Sequence, residues 1–248
     1  MTLDPTTLLV AFSLLVAAFV KGTTGMGFPV IATPTVALLL DIRTAVTILI
    51  LPNLIMDLTQ IVRGRIPYEI FRRFSGMFLS TVLGVFLGTM VLVTLPLWIL
   101  NLTLGVIVLA FVISNIFHPE FHIPPHQEKK LSPVMGLVGG FLNGMTNAAG
   151  PALAIYLYSL KLAKVDFIKA IATIFIVTKA SQLAAVSTWN LLNASTLKLS
   201  LAVTVLVLLG FYAGLKTQDR VNQRLFNRGL LALLFVIGLV LVANALRG

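Results

Sequence analysis

The sequence contains no cysteine, which excludes a disulfide framework and any thiolate-held metal. Charge is scarce: 10% of the residues are Asp, Glu, Lys or Arg, and 8 acids face 18 bases. The acids are scattered, and no H-E-x-x-H, G-x-S-x-G or nucleotide-binding glycine motif accompanies them, so no enzyme and no cofactor is expected. Histidine is limited to His118, His122 and His126. Their spacing would converge on a metal only along a continuous helix, which Pro119, Pro124 and Pro125 oppose, so a solvated loop without metal is expected. The formal charge of +10 would suggest nucleic acid in a soluble chain. Here no basic patch is interleaved with stacking aromatics, and the bases read instead as loop residues facing the cytoplasm and anionic lipid heads.

Apolar residues are what the chain has in excess: 58% are hydrophobic and the mean hydropathy is +1.02. The runs Phe74–Leu95, Leu97–Phe117, Leu197–Leu215 and Gly229–Leu246 approach the ~20 residues that a bilayer-spanning helix needs. Backbone facing lipid must satisfy its own hydrogen bonds, so the runs are expected to be helices of an all-α integral membrane protein. The first run, Thr7 to Val20, continues without an A-x-A-like cleavage site and is read as mature protein. Trp98, Trp189 and Tyr68 fall near expected interfaces, where amphipathic aromatics anchor.

Two stretches interrupt the apolar pattern, Lys21–Gly27 and Asn143–Ala149. GTTGMGFP (Gly22–Pro29) matches GMTNAAGP (Gly144–Pro151) in length and ends, 122 residues on. Asp41-x-x-Thr44-Ala45 is echoed by Asp166-x-x-Lys169-Ala170, and Gly84-x-x-x-Gly88 by Gly210-x-x-x-Gly214, with slightly larger offsets. A duplicated unit is expected: residues 1–117, a polar cytoplasmic connector at 118–132, and residues 133–248. Thr7–Leu40 and Pro133–Leu160 are each too short for two full crossings and a turn. Pieces of about 10 to 14 residues reach ~15 to 21 Å, close to the bilayer midplane. Each half therefore predicts a broken, re-entrant helical hairpin plus about three transmembrane helices, with irregular backbone tolerated where it lines a cavity.

Placing both termini outside puts Arg63, Arg65, Arg72, Arg73, Lys129, Lys130, Lys161, Lys164, Lys169, Lys216, Arg220, Arg224 and Arg228 on the inner side, against Arg43, Lys198 and Arg247 outside. The second unit then starts on the opposite side from the first. Two inverted-topology repeats follow, an architecture in which broken helices frame the substrate site of secondary transporters.

The strings KGTTGMGFPVIATP (Lys21–Pro34), GGFLNGMTNAAGPALAIYL (Gly139–Leu157) and PNLIMDLTQ (Pro52–Gln60) resemble the TauE/SafE family of sulfite and organosulfonate exporters, over essentially the whole chain. The resemblance implies an inner-membrane, multi-pass exporter of a small sulfur-containing anion (sulfite, sulfonate or organosulfonate). Ala149 stands where the family tends to have glycine, and Asp57 where an amide is expected, which bears on substrate choice and coupling.

In each break a proline, Pro29 or Pro151, opens a half-helix whose N-terminal amides and dipole favour an anion. Gly25, Gly27 and Gly150 admit close backbone approach, and Thr23, Thr24, Asn143, Thr146 and Asn147 add neutral donors. Phe28 opens the second half-helix and belongs to the expected site. Lys21 and Lys179, buried in apolar runs, require partners. Lys21 faces either substrate oxygens or Asp57, or both; Lys179, one turn from Gln182, faces substrate, serves a gate, pairs with Asp57 or snorkels. Asp57, with Asn53 and Gln60 about one turn to either side, is the candidate for proton coupling, because burial and a lysine act on its proton affinity in opposite senses. The expected partners are thus a small anion, the bilayer and protons. A passive anion channel and an uptake permease are the rival readings, and the oligomeric state, a homodimer among the options, is left open.

Overall fold

The computed structural model of the protein describes residues 5–62, 68–117, 123–217 and 223–247. All regular structure among them is helical: α1 (Pro5–Thr24), α2 (Phe28–Leu39), α3 (Ile42–Ile48), α4 (Ile50–Val62), α5 (Tyr68–Arg73), α6 (Ser75–Thr94), α7 (Leu97–Phe117), α8 (Pro125–Thr146), α9 (Gly150–Ser159), α10 (Lys164–Thr188), α11 (Ala194–Thr217) and α12 (Gln223–Arg247). Among the described residues six stretches are long and apolar enough to cross a membrane, and α2 and Leu231–Arg247 are shorter apolar segments. The chain is a multi-pass, all-α membrane protein.

The first arm of each hairpin is longer than the sequence suggests. α1 has 20 residues and α8 has 22, ~30 Å of helix each and not half a crossing, whereas α2 and α9 keep to 12 and 10. The error lies in treating polar residues as helix ends. Lys21–Thr24 and Asn143–Thr146 continue the helix because their side chains find partners within the protein. α8 likewise starts at Pro125, with Pro133 inside it, so half of the expected polar connector is helix. His126 is exposed there, while His118 and His122, like Arg63, Arg65 and Arg220, lie outside the described residues.

The membrane-length apolar stretch Ile42–Val62 is split at Leu49 into α3 and α4. Pro52 explains the split, since it lacks the N–H that would bond the carbonyl four residues back. That carbonyl, Ile48 O, instead accepts the hydroxyl of Ser200 on α11 at 2.8 Å. α3 begins at Asp41, whose carboxylate accepts from Thr44 N at 2.9 Å, the usual N-cap device.

Glycines decide which helices touch. α1 packs on α11 and α6 on α8. A Cβ on Gly22 would run into the Phe211 carbonyl, and one on Gly214 into the Phe19 carbonyl; on the other side Gly84 and Gly88 meet the Leu137 and Phe141 carbonyls, and Gly140 and Gly144 those of Thr81 and Val85. Small residues of this kind let membrane helices approach backbone to backbone. Each broken helix is therefore held by a helix of the other half of the chain. Arg43 fixes the end of α6: its Nε donates to Leu92 O at 2.9 Å, and Nη2 to Val93 O at 3.0 Å and Leu95 O at 2.7 Å. These are carbonyls that a helix C-terminus otherwise leaves open. On the expected inner side, Arg73 grips Glu128 with two bonds of 2.6 and 2.7 Å, tying α5 to the first turn of α8.

Candidate functional site

The two breaks share one construction. α1 ends where Gly25 takes φ 84 and α8 where Asn147 takes φ 61. The amides of both still reach back into the helix, Gly25 N to Lys21 O and Asn147 N to Asn143 O, each at 2.8 Å. Left-handed backbone at a helix end suits glycine best and asparagine next. A threonine precedes each of them and bridges the gap. Thr24 Oγ1 lies 2.9 Å from Val20 O and 2.8 Å from Met26 O, and accepts from Met26 N at 3.3 Å. Thr146 Oγ1 donates to Leu142 O at 2.8 Å and accepts from Ala148 N at 3.3 Å. Thr23 also turns inward, to Val20 O at 2.9 Å. The three hydroxyl protons, expected to be free donors, are thus engaged by the main chain.

One position differs between the breaks. Gly27, the N-cap of α2, has φ 99, while its counterpart Ala149 has φ −74. At that angle a side chain causes no strain, so alanine in place of the family's glycine is compatible with the turn. Phe28 is fully buried at the start of α2. A Cβ on Gly150 would stand 3.4 Å from Val30 Cγ2 and 3.8 Å from Phe175 Cζ, so the two half-helices come close at their first turns.

Beside the breaks lie two lysines, both 0% exposed. Lys21 Nζ donates to Asp57 Oδ1 at 2.5 Å and to Asn53 Oδ1 at 2.6 Å, and the Phe175 ring centroid is 5.7 Å away, within cation–π reach. Lys179 Nζ donates to Asn147 Oδ1 at 2.6 Å, Gln182 Oε1 at 2.8 Å and Asn143 Oδ1 at 3.0 Å. Its 0% exposure rules out snorkelling, and its bonds go to amides, not to Asp57. Of the Lys21 alternatives, the ion pair with Asp57 is present.

The two clusters carry their lysine on different helices. Lys21 sits on α1 opposite Asn53 and Asp57 on α4; Asn143 and Asn147 sit on α8 opposite Lys179 on α10, with Gln182 alongside. Lys21 and Asn143 stand 122 positions apart, the spacing of the two breaks, whereas Asn53 and Asp57 are four residues apart and Lys179 and Gln182 three, so the second helices of the two clusters do not match residue for residue. α4 and α10 pack against each other, so the two clusters are neighbours. Several buried polar atoms near them stay open: Asn53 Nδ2, Asp57 Oδ2 and Gln60 Oε1 have no hydrogen-bond partner. Buried polar atoms without partners are uncommon in a folded protein, and they give this region unused donor and acceptor capacity.

Two participants carry no signal in the sequence. Phe175 is one of 16 phenylalanines, and only its place one turn before Lys179 would have marked it. Val46 enters through its carbonyl, which accepts from Asn147 Nδ2 at 3.1 Å. Among the described residues no group of His, Cys, Asp and Glu has the arrangement of a metal site.

No match is found among curated proteins or among solved structures. The family model described as Sulfite exporter TauE/SafE does match, over residues 9–241. With its membrane-length helices and a match spanning nearly the whole sequence, the chain belongs to the TauE/SafE family of sulfite exporters.

Proposed function

We propose that the protein is an inner-membrane secondary transporter that exports a small sulfur oxyanion or organosulfonate, binding it between the broken helices α1/α2 and α8/α9. The observation that carries this reading is the pair of fully buried lysines, Lys21 and Lys179, set beside two interrupted helices in a chain of an exporter family. Buried ammonium groups are costly and persist where they are partnered or used. Adjacent helix starts offer N–H groups without intrahelical partners, which anions accept readily. Lys21, Asn53, Asn143, Asn147, Lys179 and Gln182 are the side chains that would face the substrate. Gly25, Gly27 and Gly150 would let it approach the backbone, with Phe28 beside it and Thr23, Thr24 and Thr146 holding the breaks in shape.

The motion is alternating access between two inverted repeats, 1–117 and 133–248, with both termini outside. Asp57 is the coupling residue: its Oδ2, buried and unpartnered, is where a transported proton would reside. The test is efflux of labelled sulfite and methanesulfonate from proteoliposomes with and without a proton gradient. Uphill, gradient-driven movement supports a transporter and removes the channel reading; strictly downhill flux removes the transporter. Lys179→Met should cut the rate at least about tenfold if the site is correct, the loss of one charge-assisted contact.

A further inference from the structure

We propose that the ion-paired state of this buried site bears one net positive charge, held on Lys179, and that this charge selects oxyanions carrying a single negative charge over those carrying two. The inference rests on the anion-transporter reading and extends it by naming the charge of the substrate. Lys21, Asp57 and Lys179 are the charged side chains buried among the described residues. Lys21 and Asp57 form an ion pair at 2.5 Å and cancel. Lys179 meets only neutral amides.

Hydrogen bonding fixes the protonation of Lys179. Asn147 Nδ2 donates to Val46 O at 3.1 Å, Gln182 Nε2 to Asn143 O at 2.9 Å, and Asn143 Nδ2 to Gln182 Oε1 at 2.9 Å. With their nitrogens so engaged, all three amides turn their oxygens toward Nζ. Three acceptors around one nitrogen need three N–H protons, which an ammonium has and a neutral amine lacks.

The geometry therefore leaves one charge uncompensated until an anion arrives. An anion oxygen would take the place of an amide oxygen on Nζ, with Asn53 Nδ2 on the adjoining α4 as a spare donor. A dianion would bring a second negative charge with no counter-charge into a low-dielectric interior, where such an excess is heavily penalised. For sulfite the favoured species is hydrogensulfite, so a proton would leave on the substrate itself.

Methanesulfonate and sulfate separate charge from shape, since both are tetrahedral and similar in size. Affinities of the purified full-length chain for each are measured by calorimetry at fixed pH and ionic strength. The wild type should prefer methanesulfonate by about tenfold or more, the scale of one unmatched charge at ~6 Å. Asp57→Asn, which raises the site to two positive charges, should move the ratio about tenfold or more toward sulfate. Lys21→Met/Asp57→Asn returns the charge to one and should return the preference to methanesulfonate. Sulfate binding as tightly as methanesulfonate in the wild type overturns the proposal even if no variant folds, and so does a ratio that Asp57→Asn leaves unchanged. Either result leaves the transporter reading standing if efflux remains uphill, whereas absent efflux of both sulfite and methanesulfonate removes that reading.

Discussion

Lys21 and Asp57 are worth less to stability as a pair than either is costly alone. Taking both ions from water is offset by their mutual attraction and by the Asn53 bond, so removing both at once is tolerated better than removing one. Lys21→Met or Asp57→Ala singly should lower stability by about 3–5 kcal/mol, and the double variant should recover most of that loss. Denaturation of the three proteins in the same detergent checks the cycle; additive losses would mean the bond contributes nothing specific. Asn147 invites a sharper comparison. Its φ of 61 tolerates glycine, so Asn147→Gly should keep the break and lose only the side-chain bonds to Lys179 and the Val46 carbonyl, whereas Asn147→Ala should also pay about 1–2 kcal/mol for left-handed backbone. Melting temperatures of the two variants order them. Sequence named Lys21, Asn53, Asp57, Asn143, Asn147, Lys179 and Gln182 because polar residues in apolar runs are conspicuous. It offered Asp57 as one partner of Lys21 and set Gln182 beside Lys179, but it did not join Lys179 to Asn143 and Asn147, since contact between α8 and α10 depends on helix rotation that spacing along the chain does not fix. The threonines read as ligand donors for the same reason: nothing in the sequence shows a hydroxyl bending back to its own carbonyl.

Among the elements, the close pairs α1–α11 and α6–α8 depend on glycine where a carbonyl leaves no room. Gly88→Leu places a branched side chain against the Phe141 backbone and should destabilise by about 1–3 kcal/mol or block assembly, as overpacking does. Gly76→Ala, whose added Cβ would meet only the Pro133 ring at 3.3 Å, should cost clearly less. Yields of folded protein by size-exclusion chromatography distinguish them. Arg43→Gln removes a charged donor from three carbonyls at the end of α6 and should cost about 1.5–3 kcal/mol. Helix α7 was legible to its ends, Leu97–Phe117, because Pro96 and an unbroken apolar run bound it. The division of α3 from α4 was not, because Pro52 only frees a carbonyl, and the group that satisfies it, Ser200, lies 152 positions away.

For the whole molecule, orientation is the least constrained property, and the absence of cysteine makes it easy to measure. Lys161→Cys and Ser195→Cys place single thiols at exposed positions, the first in the α9–α10 connection and the second in the first turn of α11. With the N-terminus outside, an impermeant maleimide added to intact cells should label the second and spare the first. Labelling of both, or of the first alone, would reverse or break the topology. The recurrence of the break at a spacing of 122 residues could be seen in the sequence because glycine, proline and threonine mark it. The placement of the lysine on α1 in one cluster and on α10 in the other was hidden, because its partners are set by packing between helices and not by a motif. The glycine seam between α1 and α11 also bears on biosynthesis. Lys21 can meet Asp57 as soon as α4 is made, but the glycine face of α1 stays uncovered in the bilayer until α11 has been synthesised. The α1–α11 seam consequently closes late, and any truncation that removes α11 strands α1 with it.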